Sequence, residues 1–347
     1  MFRAAWSETI GGGHLVRCSA LADQLAELGW SVSFAADARA HMPIPGGIQY
    51  PITMIQCAIE DEPNFLRAVW PGGADLLVVD HMGCGQAFER ACRPWARRIL
   101  SIDGLMRAHD CDILLDPVHS QLEPAMISQL PVGCVTLLGP AHALLRDAFA
   151  RRRQASLARR RASGRPKQIL ASFGAFDSHG LTELALRGLA IARPDAAIRV
   201  VMGGSADRVA AVRQLGADLG LNATVEGWTS DMASALADAD IAIGNAGSAT
   251  WERCCLGVPS VVVVAADNQR PIADLLRKTG AGLVVGDGPD TRPGDLAAAI
   301  GRLMDDRGFR KQVIESAEAL CDGMGAGRVA SLVTQRLAAA PIALNIR

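Results

Sequence analysis

Apolar residues fall into two alternating rhythms along the chain: short unbroken runs, and longer stretches with apolar residues on one helical face. Residues 15–28 show the second rhythm. Leu15, Cys18, Leu21, Ala22, Leu25 and Leu28 recur at helical spacing and Gly29 ends the stretch, which predicts an amphipathic helix. Runs at 31–35, 75–80, 98–103 and 112–116 show the first, and the last three each close on an aspartate: Asp80, Asp103 and Asp116. Unbroken apolar runs of this length predict parallel strands covered on both faces. The carboxyl ends of such strands face the ligand crevice, so Asp80, His81 and Asp103 are candidates for a site. Helix capping is the alternative for any one of them.

The alternation restarts after residue 167, with strands expected at 168–173 and 198–202 and helices starting at 181 and 207. Between the two series lies 151–167, with seven arginines, one lysine and no aromatic residue. Without rings for stacking or an apolar face, this run is expected to be a solvated helix and interdomain linker, not an arm for RNA or lipid. The organisation expected is α/β, with two doubly wound Rossmann-like domains, 1–150 and 168–325, facing a cleft. A last amphipathic helix over 326–340, within the segment 326–347, is expected to pack back on the first domain.

Composition narrows the classes. The 347 residues suit two domains of roughly 150 each. Half of them are hydrophobic and a fifth charged, as in a globular chain and unlike a disordered one. A net charge of −1 gives no general argument for nucleic acid or an anionic membrane as partner. No apolar stretch approaches the ~18 residues that span a bilayer. The opening residues lack the apolar core of a signal peptide and read as a short strand. Nine cysteines without a Cys-x-x-Cys pair suit buried thiols of a reducing cytoplasm. Histidines and acids show no metal-ligand spacing, so chemistry without metal or cofactor is expected.

Residues 243–264 carry the most chemistry. An apolar run ends in small residues, among them Gly247, and a helix follows with Ser248 and Thr250 in its first turn and Glu252 close behind. A helix start presents N–H groups and the positive end of the dipole, a seat for phosphate. A carboxylate one turn further in is placed to accept hydrogen bonds from a ribose. This reads as a nucleotide-diphosphate site. At the amino end a glycine turn leads into His14. Gly12 and Gly13 allow close approach of a ligand to the backbone, and an imidazole there is a base suited to neutral pH; a histidine that merely caps its helix is the alternative. Two further loops are candidates: 174–178, opening on Gly174, which could touch a pyrophosphate or simply turn; and 267–271, where Asn268 and Gln269 suit sugar hydroxyl and acetamido groups. For the last, a capping loop before Pro271 is the alternative. Cys254 and Cys255, on the helix after the phosphate turn, are expected in the core.

Phe2-Arg3, Ser7, Ile10-Gly11, Gly13-His14 and Arg17-Cys18, with residues 78–81, 109–115, 137–140 and 143–146, together resemble a known family. The resemblance is most specific at 243–272. The family is the UDP-2,4-diacetamido-2,4,6-trideoxy-β-L-altropyranose hydrolase of pseudaminic acid synthesis, which serves flagellin glycosylation. Its two-domain GT-B fold is shared with the glycosyltransferase that makes lipid II. The resemblance implies a UDP-sugar substrate, with Glu252 on the ribose, Ser248 and neighbouring N–H groups on the diphosphate, and the 225–228 turn, with Gly227, on uracil. It also implies that His14 activates water for attack at C1, releasing UDP with inversion. The chain departs from the family at Ala5, Met82, Gly104, Ala141-His142 and the 174–178 loop, mostly in the amino half that should hold the sugar. Hydrolysis of a UDP-linked acetamido-deoxysugar is the leading expectation. A UDP-sugar glycosyltransferase of the same fold and a non-catalytic UDP-sugar binding protein are the alternatives.

Overall fold

The computed structural model describes residues 1–6, 11–37, 48–174, 177 and 179–338. Ser7, Ile10, His41, three residues of the 174–178 loop (Ala175, Phe176 and Ser178) and the segment from 339 onward lie outside them.

Two sheets organise the chain. The first contains β1 (Phe2–Ala4), β2 (Phe34–Asp37), β3 (Ile52–Ile55), β4 (Leu77–Asp80), β5 (Ile99–Ile102), β6 (Ile113–Asp116) and β7 (Val135–Leu138). Its spatial order is β3-β2-β1-β4-β5-β6-β7. The second contains β8 (Gln168–Ser172), β9 (Ala197–Val201), β10 (Ala223–Glu226), β11 (Ile241–Asn245), β12 (Ser260–Val264) and β13 (Leu283–Asp287), in the order β10-β9-β8-β11-β12-β13. Every pairing is parallel. Chain order reverses between β1 and β4 in one sheet and between β8 and β11 in the other. Connections leave such a switch point in opposite directions, and a crevice opens beyond the strand ends. Asp80 ends β4, Asn245 ends β11 and Gly174 follows β8, so candidate residues sit at the switch points of both sheets.

The strand expected at 31–35 lies later, because Phe34, Ala35 and Ala36 are buried whereas Ser31 is exposed. The basic run is the helix expected of it and joins the two domains, but one face of it is packed instead of solvated. Most of it belongs to a helix, Asp147–Ala162, that packs on the second domain through Phe149 and Leu157. Arg153 Nη2 donates to the Glu318 carbonyl at 2.7 Å, Arg159 Nε to that of Ala237 at 3.1 Å, and Arg160 Nε to that of Leu256 at 2.9 Å. Carbonyls in a helix's last turn lack partners within the helix and carry partial negative charge, which guanidinium groups satisfy.

The last helix, Gly325–Ala338, returns to the first domain. Its Val329, Ala330 and Val333 are fully buried in a core shared with Leu21 and Leu25 of the helix Gly13–Glu27, and Trp30 Nε1 donates to Thr334 Oγ1 at 3.0 Å. Among the described residues no helix is long and apolar enough to cross a membrane.

Candidate active site

Two helix starts meet across the cleft. The helix Gly13–Glu27 follows the glycine turn after β1, and the helix Ala249–Cys255 follows Ser248 after β11. A Cβ on Gly13 would lie 2.7 Å from Ser248 Oγ, so no side chain fits at 13 without moving the serine. Ser248 lines three cavities. One is an apolar slot of about 160 Å³, mostly in the second domain, walled by Leu170, Val201, Met202, Trp228 and Met232, with Glu252 and Arg146 also on its wall and Gly12, Gly13 and Val16 of the first domain at its edge. The second is the cleft itself, about 470 Å³, between Gly12, Gly13, His14 and Arg17 on one side and Gly174, Gly247, Asn268 and Gln269 on the other. The third is a chamber of about 90 Å³ lined by His14, Arg17, Asp80, His81, Asp103 and Arg107 and closed by Trp251.

His14 is held by a buried carboxylate. Its Nδ1 lies 2.7 Å from Asp80 Oδ1, and Arg17 Nε donates to Asp80 Oδ2 at 2.6 Å. Arg17 Nη2 is 3.1 Å from His14 Nδ1, but the shorter, charge-assisted bond assigns the tautomer: Nδ1–H donates to Asp80, and Nε2 is left basic. Burial would raise the Asp80 pKa; Arg17 and His14 outweigh it and hold the carboxyl well below the usual range. The pair therefore combines a buried anion with an imidazole held in one orientation.

His81 does not duplicate this arrangement. Its Nδ1 accepts the Gly83 N–H at 3.0 Å, and its Nε2 lies 3.7 Å from Asp37 Oδ2. Burial and the charge of Arg3 lower its pKa to about 4, so it is neutral with its lone pair already engaged. Asp103 belongs to another network. His109 is buried between Glu89 (Nδ1 at 2.7 Å) and Asp103 (Nε2 at 3.2 Å). Burial opposes its protonation, but the two carboxylates prevail and raise it to about 9. A protonated His109 thus lies one layer behind the chamber.

Glu252 behaves differently from these acids. No protein group hydrogen-bonds its carboxylate among the described residues, and it faces the apolar slot. Burial pushes its pKa up, against the positive charges of Arg146 and Arg253. Arg146 Nε is itself buried without a partner. A carboxylate and a guanidinium so exposed to one cavity and so poorly satisfied by protein suit a polar ligand.

The structure thus gathers Gly12, Gly13, His14, Arg17, Gly174, Gly247, Ser248, Glu252, Asn268 and Gln269 around the cleft and slot. Three of the expected contact residues are placed apart from this group. Thr250 is 1% exposed, and its Oγ1 accepts from Arg253 Nη2 at 3.0 Å, so it braces the helix start instead of meeting a ligand. Asp80 is fully buried with both oxygens engaged by His14 and Arg17, at the wall of the small chamber. Gly227 lines none of the three cavities, whereas its neighbours Trp228 and Thr229 line the slot. Arg146 was missed: in sequence it is one arginine just ahead of a run of them. The His109 network was missed because His109 itself stands in irregular sequence, with no signal linking it to Glu89 or to Asp103.

Residues 178–322 match the glycosyltransferase family 28 C-terminal domain. An N-acetylglucosamine transferase of Sorangium cellulosum, named UDP-N-acetylglucosamine–N-acetylmuramyl-(pentapeptide) pyrophosphoryl-undecaprenol N-acetylglucosamine transferase, is 37% identical over 205 residues. That match covers 57% of this chain and 49% of the relative. The UDP-2,4-diacetamido-2,4,6-trideoxy-β-L-altropyranose hydrolase of Campylobacter jejuni is 29% identical over 153 residues, covering 43% of this chain and 52% of the relative. The chain spans about half the length of these curated relatives. Acinetobacter baumannii MurG superposes with a TM-score of 0.65 at 19% identity, over 96% of this chain and 98% of that one. The fold is therefore GT-B, two Rossmann-like domains facing a cleft, as expected. The chain is glycosyltransferase-like, and the hydrolase expectation rests on the weaker of these two sequence matches.

Proposed function

We propose that the protein transfers the glycosyl group of a UDP-sugar to an acceptor hydroxyl, with His14 as general base and Asp80 as the residue that orients it. The observation that carries this reading is the placement of the His14–Asp80 pair and the unpartnered Glu252 carboxylate on cavities that share Ser248. The names of both relatives contain a UDP-sugar, which selects the nucleotide. Uracil then occupies the apolar slot beside Trp228, and Glu252 accepts hydrogen bonds from the ribose. The diphosphate lies between the two helix starts, where N–H groups and dipoles stabilise the charge that develops on the leaving group. His14 Nε2 takes the acceptor proton as the acceptor oxygen attacks C1; the C1–O bond to the diphosphate breaks on the opposite face, with inversion.

A second reading keeps these parts and makes water the acceptor, giving UDP and free sugar. The chamber beside His14 favours it, because the polar side chains on its wall, Arg17, Asp103 and Arg107 among them, suit an ordered water next to the imidazole. UDP release from UDP-linked acetamido sugars, followed with and without acceptor alcohols, separates the two. Release that requires the acceptor and disappears in His14→Ala supports transfer; release in buffer alone supports hydrolysis. UDP binding without release under any condition would leave only a non-catalytic binding protein.

A further inference from the structure

A separate cavity of about 330 Å³ opens on the second domain, between the end of the helix Asp147–Ala162 and the start of the helix Arg307–Leu320. Its wall carries five cations, Arg160, Arg161, Arg307, Arg310 and Lys311, against one carboxylate, Glu315. None of these residues lines the cavities at Ser248.

Two of the cations are built into the protein. Arg160 is 4% and Arg310 5% exposed. Arg160 donates to the carbonyls of Leu256, Leu236 and Ala239, and Arg310 to those of Leu303, Met304 and Gly164. Carbonyl dipoles fix a guanidinium in place but do not cancel its charge, and the carboxylates that act on these two through space, Asp240 on both, Asp238 on Arg160 and Asp306 on Arg310, do not overcome the cost of burial. Burial, reinforced by Arg159, lowers the Arg160 pKa to about 9, and burial lowers that of Arg310 as well. The exposed cations add to the imbalance. Arg307 pairs with no carboxylate among the described residues; Lys311 reaches Glu315 at 3.6 Å, and Arg161 turns to Glu318 at 3.0 Å.

We infer that this cavity binds a phosphate-bearing anion at a site distinct from the cleft. Arg161 and Lys311 have carboxylate partners in Glu318 and Glu315, whereas Arg160, Arg307 and Arg310 make no ion pair among the described residues, and guanidinium groups match the tetrahedral oxygens of phosphate. A soluble phosphate ester and a phospholipid headgroup share that chemistry.

The test titrates inorganic pyrophosphate into the full chain by calorimetry and thermal melting, and sediments the protein with phosphatidylcholine vesicles with or without phosphatidylglycerol. The variants are Arg307→Glu/Lys311→Glu, the milder Arg307→Gln/Lys311→Gln should the first misfold, and Ser248→Ala for the cleft. Binding that weakens at least about tenfold in the charge variants, as expected for lost charge-assisted contacts, and persists in Ser248→Ala supports the site. Pyrophosphate binding with no vesicle binding assigns a soluble ligand; vesicle binding that requires phosphatidylglycerol assigns a headgroup. If wild type binds neither probe, or the folded charge variants bind as wild type does, the inference is overturned.

Discussion

Asp80 and His109 are both buried charges of the first domain, and their surroundings give them different tasks. Asp80 is kept ionised by Arg17 and holds the His14 ring in one tautomer. Asp80→Asn would keep the volume but offer an amide N–H to Nδ1, turning Nε2 into a donor. Under the proposed reading, kcat should fall by about 10⁴-fold, the scale seen when an orienting carboxylate becomes an amide. UDP affinity, set mainly by the second domain, should stay unchanged. Steady-state kinetics beside UDP calorimetry checks this, and an unchanged kcat would remove Asp80 from the mechanism. His109 serves stability instead. Its folded pKa, about 9, lies above its ordinary 6.5, so the stabilisation is complete below pH 6.5 and is lost as pH rises through 9. The full shift corresponds to roughly 3 kcal/mol. Urea midpoints should therefore fall between pH 6.5 and 9, and His109→Gln should flatten that slope; a wild-type slope retained in the variant would place its origin elsewhere.

The helix start is the element on which the site is built, and it was also what the sequence made easiest to read. Glycines after an apolar run, then a polar first turn, announce a strand–turn–helix whatever the rest of the chain does; His14, Ser248 and Glu252 were found that way. What such a pattern does not encode is which polar side chain of the turn looks outward. Thr250 and Asp80 turn inward because Arg253 and Arg17 wait for them there. Partners far along the chain were equally hidden: the basic helix finds carbonyls some 80 to 165 residues away, and carbonyls have no sequence signature. The meeting of the two helix starts can be tested directly. Gly13→Ala places a methyl 2.7 Å from Ser248 Oγ, so either the serine turns or the domains part. Overpacking of this kind costs about 1–3 kcal/mol, and with the diphosphate held between the two starts UDP affinity should weaken about tenfold or more. Calorimetry reads the effect; wild-type affinity would mean that the cleft does not close on its ligand at this point.

Across the whole molecule, the chain crosses between domains twice, at the basic helix and again before the last helix, so that each domain is completed by sequence lying beyond its own sheet. The first domain depends on Val329 and Val333, fully buried from the far end of the chain. Fully burying a valine contributes about 1.5–3 kcal/mol. Val329→Ala/Val333→Ala should thus weaken the first domain by a few kcal/mol while leaving most of the apolar slot and Glu252 intact, since these belong mainly to the second. Four of the six tryptophans, Trp6, Trp30, Trp70 and Trp95, precede the second sheet, so intrinsic fluorescence reports chiefly on the first domain. The double variant should shift the fluorescence-detected urea midpoint downward with UDP affinity preserved. A midpoint equal to wild type would mean that the last helix rests on the first domain without stabilising it. A parallel loss of UDP affinity would mean that the two sheets unfold as one unit, with the cleft inseparable from the helix that closes the chain.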